Sequence, residues 1–559
     1  MMNFKNFIFF YIFLITANLS FAQKVSQDEI YTTAEKFLKN SGNSDLLNNI
    51  PVIHRIYSDK SGKLLFYVCN YPNAFIVISA NKNNYPIKAF SFKHKLNLKR
   101  SAGEIHFIDI LKSDYEQFNK LIKNNPDWAE TNRKKWENVL LNVRNKNITD
   151  ETYGPYLSSL YGQVNCHDNN GKLVNVTNYY TPNHYAVGCV AMVFAEVMRY
   201  YEWPRKGIGS FSYTDNYGSS TGTYNADFEE KYYNWDIIPD EFDGVSSTDK
   251  QRSELGRVTF QAAVSVKMDF ENGGSTSNIN RIPSAASKYF RYIADYKEKT
   301  ISDFWSTLDT SLHHGIPAQF AVYTDGGAGH AVVGDGIKYT GGEKYYHLNM
   351  GWWGDDNGWY QIHQSFNAGG YTNVTAAVLN MLPVPELDDS PEIDTENKTV
   401  KLKWYYSEKL QAEKYELQIK KGPDDWETLT DTITQKSFVF QADNENEYTF
   451  RLRAKIGGNW TENAWSNEIK IIPADFKAQG KETLTVFPAS TNNIIKISYK
   501  NLSGNTLKIY NLQGALIFQN SEIISNNEVS LDVSNFETGL YIVQIIGENE
   551  NITAKFFKE

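Results

Sequence analysis

After Pro383 the apolar residues change their spacing, and that change sets what the chain can fold into. From Thr395 to Pro473 they alternate in short runs, at Thr399 to Tyr405, Lys414 to Lys420, Ser437 to Gln441, Tyr448 to Lys455 and Asn467 to Ile472. Period-two runs at such regular intervals predict a β-sandwich. A second series of β-type runs fills Leu484 to Glu559. Upstream of Pro383 strands and helical stretches are mixed, which predicts an α+β protein carrying two all-β C-terminal domains. A chain of 559 residues is too long for one core, and three to five folded units are the expectation.

The N-terminal end addresses the chain outward. Lys5 precedes the apolar run Phe7 to Ile15, which ends in Ser20-Phe21-Ala22. A short apolar run before a small-x-small site is a signal peptide, and a stable bilayer anchor needs ~20 apolar residues. A net charge of −9 and a pI near 5.7 provide no basic field for nucleic acid, which is not expected as a partner.

Residues 23–146 read as one α+β unit. A helical start at Asp28 to Leu38 is followed by strands at Lys63 to Cys69 and Ala74 to Ser79, then by amphipathic stretches at Ile105 to Lys123 and Ala129 to Arg144. The polar run from Arg144 to Glu151 has the character of a proteolysable linker, and the acidic Pro385 to Pro391 segment reads as a second linker.

The three cysteines, Cys69, Cys166 and Cys189, form no disulfide framework, and an odd number in an exported protein leaves at least one thiol free. Cys69 and Cys166 are both expected as free thiols. Cys189 stands apart because Val190, Val193, Phe194, Val197 and Met198 follow it at helical spacing, with Pro204 as terminator. A cysteine opening a helix meets unpaired N–H groups and the positive end of the dipole, which favour the thiolate and predict a lowered thiol pKa. Gly188 lets backbone and substrate approach closely.

A thiol nucleophile needs a base, and imidazole is the suitable side chain. His330 follows the glycine-rich run Asp325-Gly-Gly-Ala-Gly, 141 residues after Cys189. The strand Lys344 to Met350 comes after a short turn at Thr340-Gly-Gly342, and antiparallel pairing is expected to bring Asn349 beside His330 to orient the ring. Trp352, Trp353 and Trp359 can shield that hydrogen bond. Gln163 can donate its amide, with the Cys189 N–H, to a developing oxyanion.

These segments resemble the streptopain-like cysteine peptidases. Gln163, Gly188-Cys-Val-Ala191 with Tyr200 and Trp203-Pro204, Tyr233-Asn-Trp235, Val266-Lys-Met-Asp269 and the stretches around His330 and Asn349 occur in that family's order. Ala74 to Ala80 is similar to its propeptide. The resemblance implies a papain-like endopeptidase held latent by its own propeptide, with Cys189 as nucleophile, His330 as base, Gln163 as oxyanion donor and Asn349 as orienter. It implies peptide or protein substrates with an apolar residue second before the cleaved bond, and neither cofactor nor metal. Met350 stands where the family has tryptophan, and Val187 where it has threonine or a similar residue.

Further on, Trp404, Tyr448 to Ala454 and Trp465-Ser466 resemble a fibronectin type III domain. Val486-Phe-Pro488, Leu507 to Asn511, Leu531 to Ser534, Gly539 to Val543 and Lys555 to Lys558 resemble the sorting domain of type IX secretion, with Pro488-Ala-Ser490 in place of its Pro-Asn-Pro. The organisation is then 1–22 signal peptide, 23–146 propeptide, 147–382 catalytic domain, 383–475 fibronectin-like domain and 476–559 sorting domain. This predicts a secreted or surface-held product and the type IX machinery as a partner.

Three rival readings compete with this one. A zinc site from Cys166, His167, His184 and Cys189 lacks the short-loop spacing of structural zinc. A degenerate adhesion protein has no need for all four chemical positions. A transglutaminase-type acyltransferase would share the nucleophile without the propeptide.

Overall fold

The computed structural model of the chain describes residues 24–98, 107–123, 126–141, 150–218, 220–323, 329–340, 343–362, 374–443, 446–457, 459–461, 465–472, 475, 483–500, 506–520, 528–546 and 551–559. The expected signal peptide at 1–22, most of the linker after Arg144, residues 325–328 before His330 and the turn at 341–342 lie outside them.

The N-terminal unit opens with helix α1, Gln27–Asn40, whose Ser26 and Glu29 form a reciprocal capping box. Four antiparallel strands follow, β1 (Val52–Tyr57), β2 (Leu64–Tyr71), β3 (Ala74–Ser79) and β4 (Ile87–Ser91). Helices α2 (Phe107–Lys123) and α3 (Pro126–Leu141) complete it.

The catalytic unit has a helical half and a sheet half. Its helices are α4 (Cys189–Tyr201), α5 (Asp249–Ser265), α6 (Ile282–Tyr289) and α7 (Phe304–His313). Its strands run β5 (Glu151–Tyr153), β6 (Cys166–His167), β7 (Leu173–Val174), β8 (Ser210–Asp215), β9 (Gly222–Asp227), β10 (Tyr292–Glu298), β11 (Ala318–Tyr323), β12 (Gly329–Thr340), β13 (Glu343–Asn349), β14 (Gly358–Tyr360) and β15 (Val374–Pro383).

Sequence spacing treats these two units as separate, yet they share one 11-stranded sheet in the order β1-β2-β3-β4-β14-β13-β12-β11-β15-β10, with β5 on β12. The junction is β4 against β14, where Phe90 pairs with Trp359 and Ala89 with Tyr360. Each would otherwise present an unpaired edge, so the pairing satisfies backbone groups of both.

Both C-terminal units are two-sheet β structures, as the alternation predicts. Sheets of four and five strands cover Glu386 to Ile471, and sheets of three and five cover Thr483 to Lys558. The acidic segment after Pro385 is not a loose linker. Glu386–Leu387 pairs with Trp404 and Tyr405, and Leu387 is buried. Ser407 donates to the Tyr201 carbonyl at 2.6 Å, and the Arg205 guanidinium lies 3.4 Å from the Tyr405 ring centre. The fibronectin-like core thereby joins that of the catalytic helices in one buried cluster.

Candidate active site

Cys189 is the first residue of α4, and Gly188 caps it at φ 89°, in the region that favours glycine. A β-carbon at 188 would run into the Met268 thioether and the Ser275 carbonyl, so two independent constraints hold glycine there. Gln163 is tied to this turn through its carbonyl, which accepts from the Val187 N–H at 2.9 Å, and Gln163 is buried. The structure thus brings Gln163 beside the Cys189 turn.

The Cys189 sulfur faces the backbone N–H groups of Ala331, Val190 and its own residue. The first of these belongs to the neighbour of His330, which places the start of β12 over the start of α4. The lowered thiol pKa expected at a helix N-terminus is not found. Burial pushes the thiol up, and the three N–H donors only partly oppose it.

His330 is buried, and burial pushes its imidazole down to about 4. Its Nε2 lies 2.9 Å from the Met350 carbonyl. A carbonyl only accepts, so Nε2 carries the proton and Nδ1 is the ring's basic atom. The Trp352 ring stacks on the imidazole at 5.2 Å with planes 17° apart.

Asn349 does not occupy the place the hairpin argument gave it. The β12–β13 register slips between Gly334 and Gly336, and Asn349 pairs with Val333. Beyond that slip the two chains bring Trp352, not Asn349, opposite His330. The orienting acceptor is the Met350 carbonyl. The Asn349 Oδ1 accepts from Gly351 N–H at 3.1 Å and its Nδ2 donates to the Ser159 carbonyl at 2.9 Å, so its amide fixes the turn that carries Met350 and Trp352. Counting back from the Thr340–Glu343 pair sets Asn349 opposite Gly334 even without the slip, and a backbone acceptor leaves no mark in the sequence.

Buried polar groups lie beneath. The Asp335 carboxylate meets the His347 ring at 2.6 Å and accepts from the Leu157 N–H at 2.9 Å. Glu196, two turns beyond Cys189, is fully buried, and burial drives its carboxyl well above the ordinary range.

The N-terminal unit reaches this region. The Asn97 N–H donates to Asp356 at 2.5 Å and its side-chain amide to Asp355 at 3.1 Å, in the turn that follows Trp352. All three cysteines are free thiols. Among the described residues no group of three His, Cys, Asp or Glu side chains is placed to hold a metal ion, so the four candidate zinc ligands are not assembled.

Comparison with known proteins finds matches in three parts of the chain. Residues 165–360 match the Peptidase C10 family, residues 22–117 the Spi protease inhibitor, and residues 485–559 the secretion system C-terminal sorting domain. Streptopain of Streptococcus pyogenes serotype M28 is 25% identical over 349 residues, covering 57% of this chain and 80% of streptopain. The thiol protease/hemagglutinin PrtT of Porphyromonas gingivalis is 27% identical over 209 residues, 35% of this chain and 23% of PrtT. A prointerpain A fragment from Prevotella intermedia overlays with a TM-score of 0.42 at 19% identity, covering 59% of this chain and 98% of the fragment.

The chain is therefore a cysteine-type peptidase, with its nucleophile candidate at a helix N-terminus and its imidazole candidate on the facing strand. More narrowly, it carries a streptopain-like Peptidase C10 domain of papain-like fold between a Spi-like prodomain and a secretion sorting domain, which directs it to the cell surface or beyond.

Proposed function

We propose that the protein is an endopeptidase made as a zymogen, with Cys189 as nucleophile and His330 as general base and acid. The observation that carries this reading is the Ala331 N–H directed at the Cys189 sulfur, which sets the His330 strand against the nucleophile's turn. In the matured enzyme the Cys189 thiol passes its proton to Nδ1 of His330, and the resulting thiolate attacks the scissile carbonyl. The developing oxyanion is held by the Cys189 N–H and the Gln163 amide, a contribution of about 3 kcal/mol. His330 returns the proton to the departing amine. Water, deprotonated by the same imidazole, then hydrolyses the thioester and restores the thiol.

Asn349 acts through the Met350 turn rather than on the ring. Residues 23–146 hold the enzyme latent. Their Asn97 grips the turn beyond Trp352, and the buried site keeps thiol and imidazole neutral. A cut between about Arg144 and Thr152, followed by departure of residues 23–146, opens the route to water, which lowers the thiol pKa and raises that of the imidazole until the ion pair forms.

Casein hydrolysis by matured wild type and by Cys189→Ala, with peptide mapping of the thiol alkylated by a cysteine-peptidase inactivator, tests the reading. Loss of hydrolysis in the variant and labelling at Cys189 alone are expected. Equal activity in the variant, or a matured wild type that cleaves nothing, sinks it.

A further inference from the structure

Glu196 is a buried acid to which the chemistry above gives no task. It follows Cys189 on α4 by two helical turns and lies on the same face of the helix. That face packs against the turn beyond Asn349, because a β-carbon on Gly351 would come within 3.3 Å of Met192, one helical turn before Glu196. Glu196 is 0% exposed, and in the precursor neither carboxyl oxygen reaches water or makes a full hydrogen bond. Two donors bear on it, the Tyr161 N–H and the Asn349 side-chain amide. Burial first, and then the Asp335 carboxylate, push the Glu196 carboxyl upward; Asp335 is itself paired with the His347 ring at 2.6 Å.

Both donors belong to segments that assemble the site. Alternate carbonyls of residues 159–163 accept from three of its parts: Ser159 from the Asn349 amide at 2.9 Å, Tyr161 from the Trp353 N–H at 3.2 Å and Gln163 from the Val187 N–H at 2.9 Å. The Asn349 Nδ2 carries two hydrogens, of which one goes to Ser159 and the second remains for the carboxyl. Its Oδ1 holds the Gly351 N–H, and the turn between them supplies the Met350 carbonyl to His330. One carboxyl thus stands among the helix of the nucleophile, the segment that carries Gln163 and the turn that meets the imidazole.

A buried carboxyl costs stability relative to an apolar side chain of its size unless its oxygens are bonded. The contacts of Glu196 fall short of that in the precursor, where Asn97 of the N-terminal unit holds Asp355 and Asp356 just beyond the same turn. We propose that Glu196 is a positioning residue: in the matured enzyme its carboxyl accepts from the Asn349 amide and the Tyr161 N–H, and so sets α4 against Gln163 and the Met350 carbonyl. The inference rests on Cys189 and His330 being the reacting pair. Glu196 acts on the rate through the placement of His330 and Gln163 and touches neither substrate nor thiol.

The test compares matured wild type, Glu196→Leu and Glu196→Gln, each freed of residues 23–146. It measures kcat and KM on a fluorogenic peptide, the rate of Cys189 alkylation as a function of pH, and the melting temperature. In Glu196→Leu kcat is expected to fall about tenfold, the worth of one buried hydrogen bond, with KM unchanged and the pH midpoint of alkylation displaced. Its melting temperature should equal or exceed that of wild type, because a buried acid is gone, and this separates positioning from a packing defect. Glu196→Gln keeps the shape and an acceptor oxygen and should regain roughly threefold of the lost kcat. Glu196→Met, unbranched like glutamate, takes the place of leucine if that variant does not fold. Wild-type kcat and alkylation profile in the apolar variant, a glutamine variant no better than it, or a loss that lies wholly in KM overturns the inference alone. Failure of both apolar variants to fold makes Glu196 a folding residue and overturns it as well. A matured wild type that cleaves no peptide overturns it together with the active-site reading.

Discussion

Asp356 ties the prodomain contact to pH. It is 2% exposed in the turn beyond Trp352, accepts the Asn97 N–H, and is pushed up to about 7 by burial, with Asp355 adding to the shift. In an unfolded chain the same carboxyl titrates near 3.9. Because the folded pKa is raised, the protonated form stabilises the precursor fully below about 4, and this contribution is lost as pH rises through 7. At pH 8 the folded protein carries a buried charge that costs about 4 kcal/mol, from roughly three pKa units at 1.36 kcal/mol each. Asp356→Asn keeps an oxygen for Asn97 and removes the titration. In a Cys189→Ala background, which blocks the proposed self-cleavage, the Asn variant should melt with wild type near pH 4 and several degrees above it at pH 8. His94, which burial and the neighbouring His347 hold below its ordinary value, titrates in both proteins and cancels in the difference. Melting by differential scanning calorimetry from pH 4 to 8 reads the effect. A gap between the two proteins that does not change with pH would refute the reasoning.

Two further outcomes follow from packing. Gly188→Ala should cost about 3 kcal/mol, combining a positive φ with collision against Met268 and Ser275, and should abolish peptide hydrolysis. A urea midpoint and activity equal to wild type would contradict this. Truncation after Pro383 should lower the melting temperature of the remaining units or render them insoluble, because Tyr406 packs against Trp203 and Ser407 binds the end of α4. A truncated protein that melts where the full chain does would show the fibronectin-like domain to be a passive appendage.

Local patterning carried the sequence reading as far as local physics determines structure. Alternation gave the two C-terminal sandwiches, and the helical spacing after Cys189 gave α4 with the cysteine at its first position. Gln163 packs on the turn before α4 and His330 lies at the start of β12. The misplacement of Asn349 has a specific cause. Counted from the Thr340–Glu343 pair, unbroken pairing already sets Asn349 opposite Gly334, and the irregularity between Gly334 and Gly336 moves it by one residue to Val333, so in neither register does it face His330; Trp352 stacks on the ring and the Met350 carbonyl meets it. The thiol pKa went astray for a different reason. A helix N-terminus favours the thiolate by a local effect, whereas desolvation depends on what covers the site from elsewhere in the chain.

The shared sheet bears on activation. A cut in the segment after Arg144 severs one covalent tie, but β4 remains hydrogen-bonded to β14, and Gln361 still donates its N–H to the Lys88 carbonyl at 2.8 Å. Lys135 also reaches from α3 to Glu343 at 2.6 Å. None of these contacts depends on the linker. Cleavage alone therefore converts an intramolecular complex into a bimolecular one without opening the cleft, and release then depends on dilution or on further proteolysis of the prodomain. On this argument the nicked protein should remain inactive at high concentration and gain activity on dilution, with a lag set by prodomain dissociation. Full activity immediately after the cut, at any concentration, would show that the shared sheet does not hold the prodomain in place.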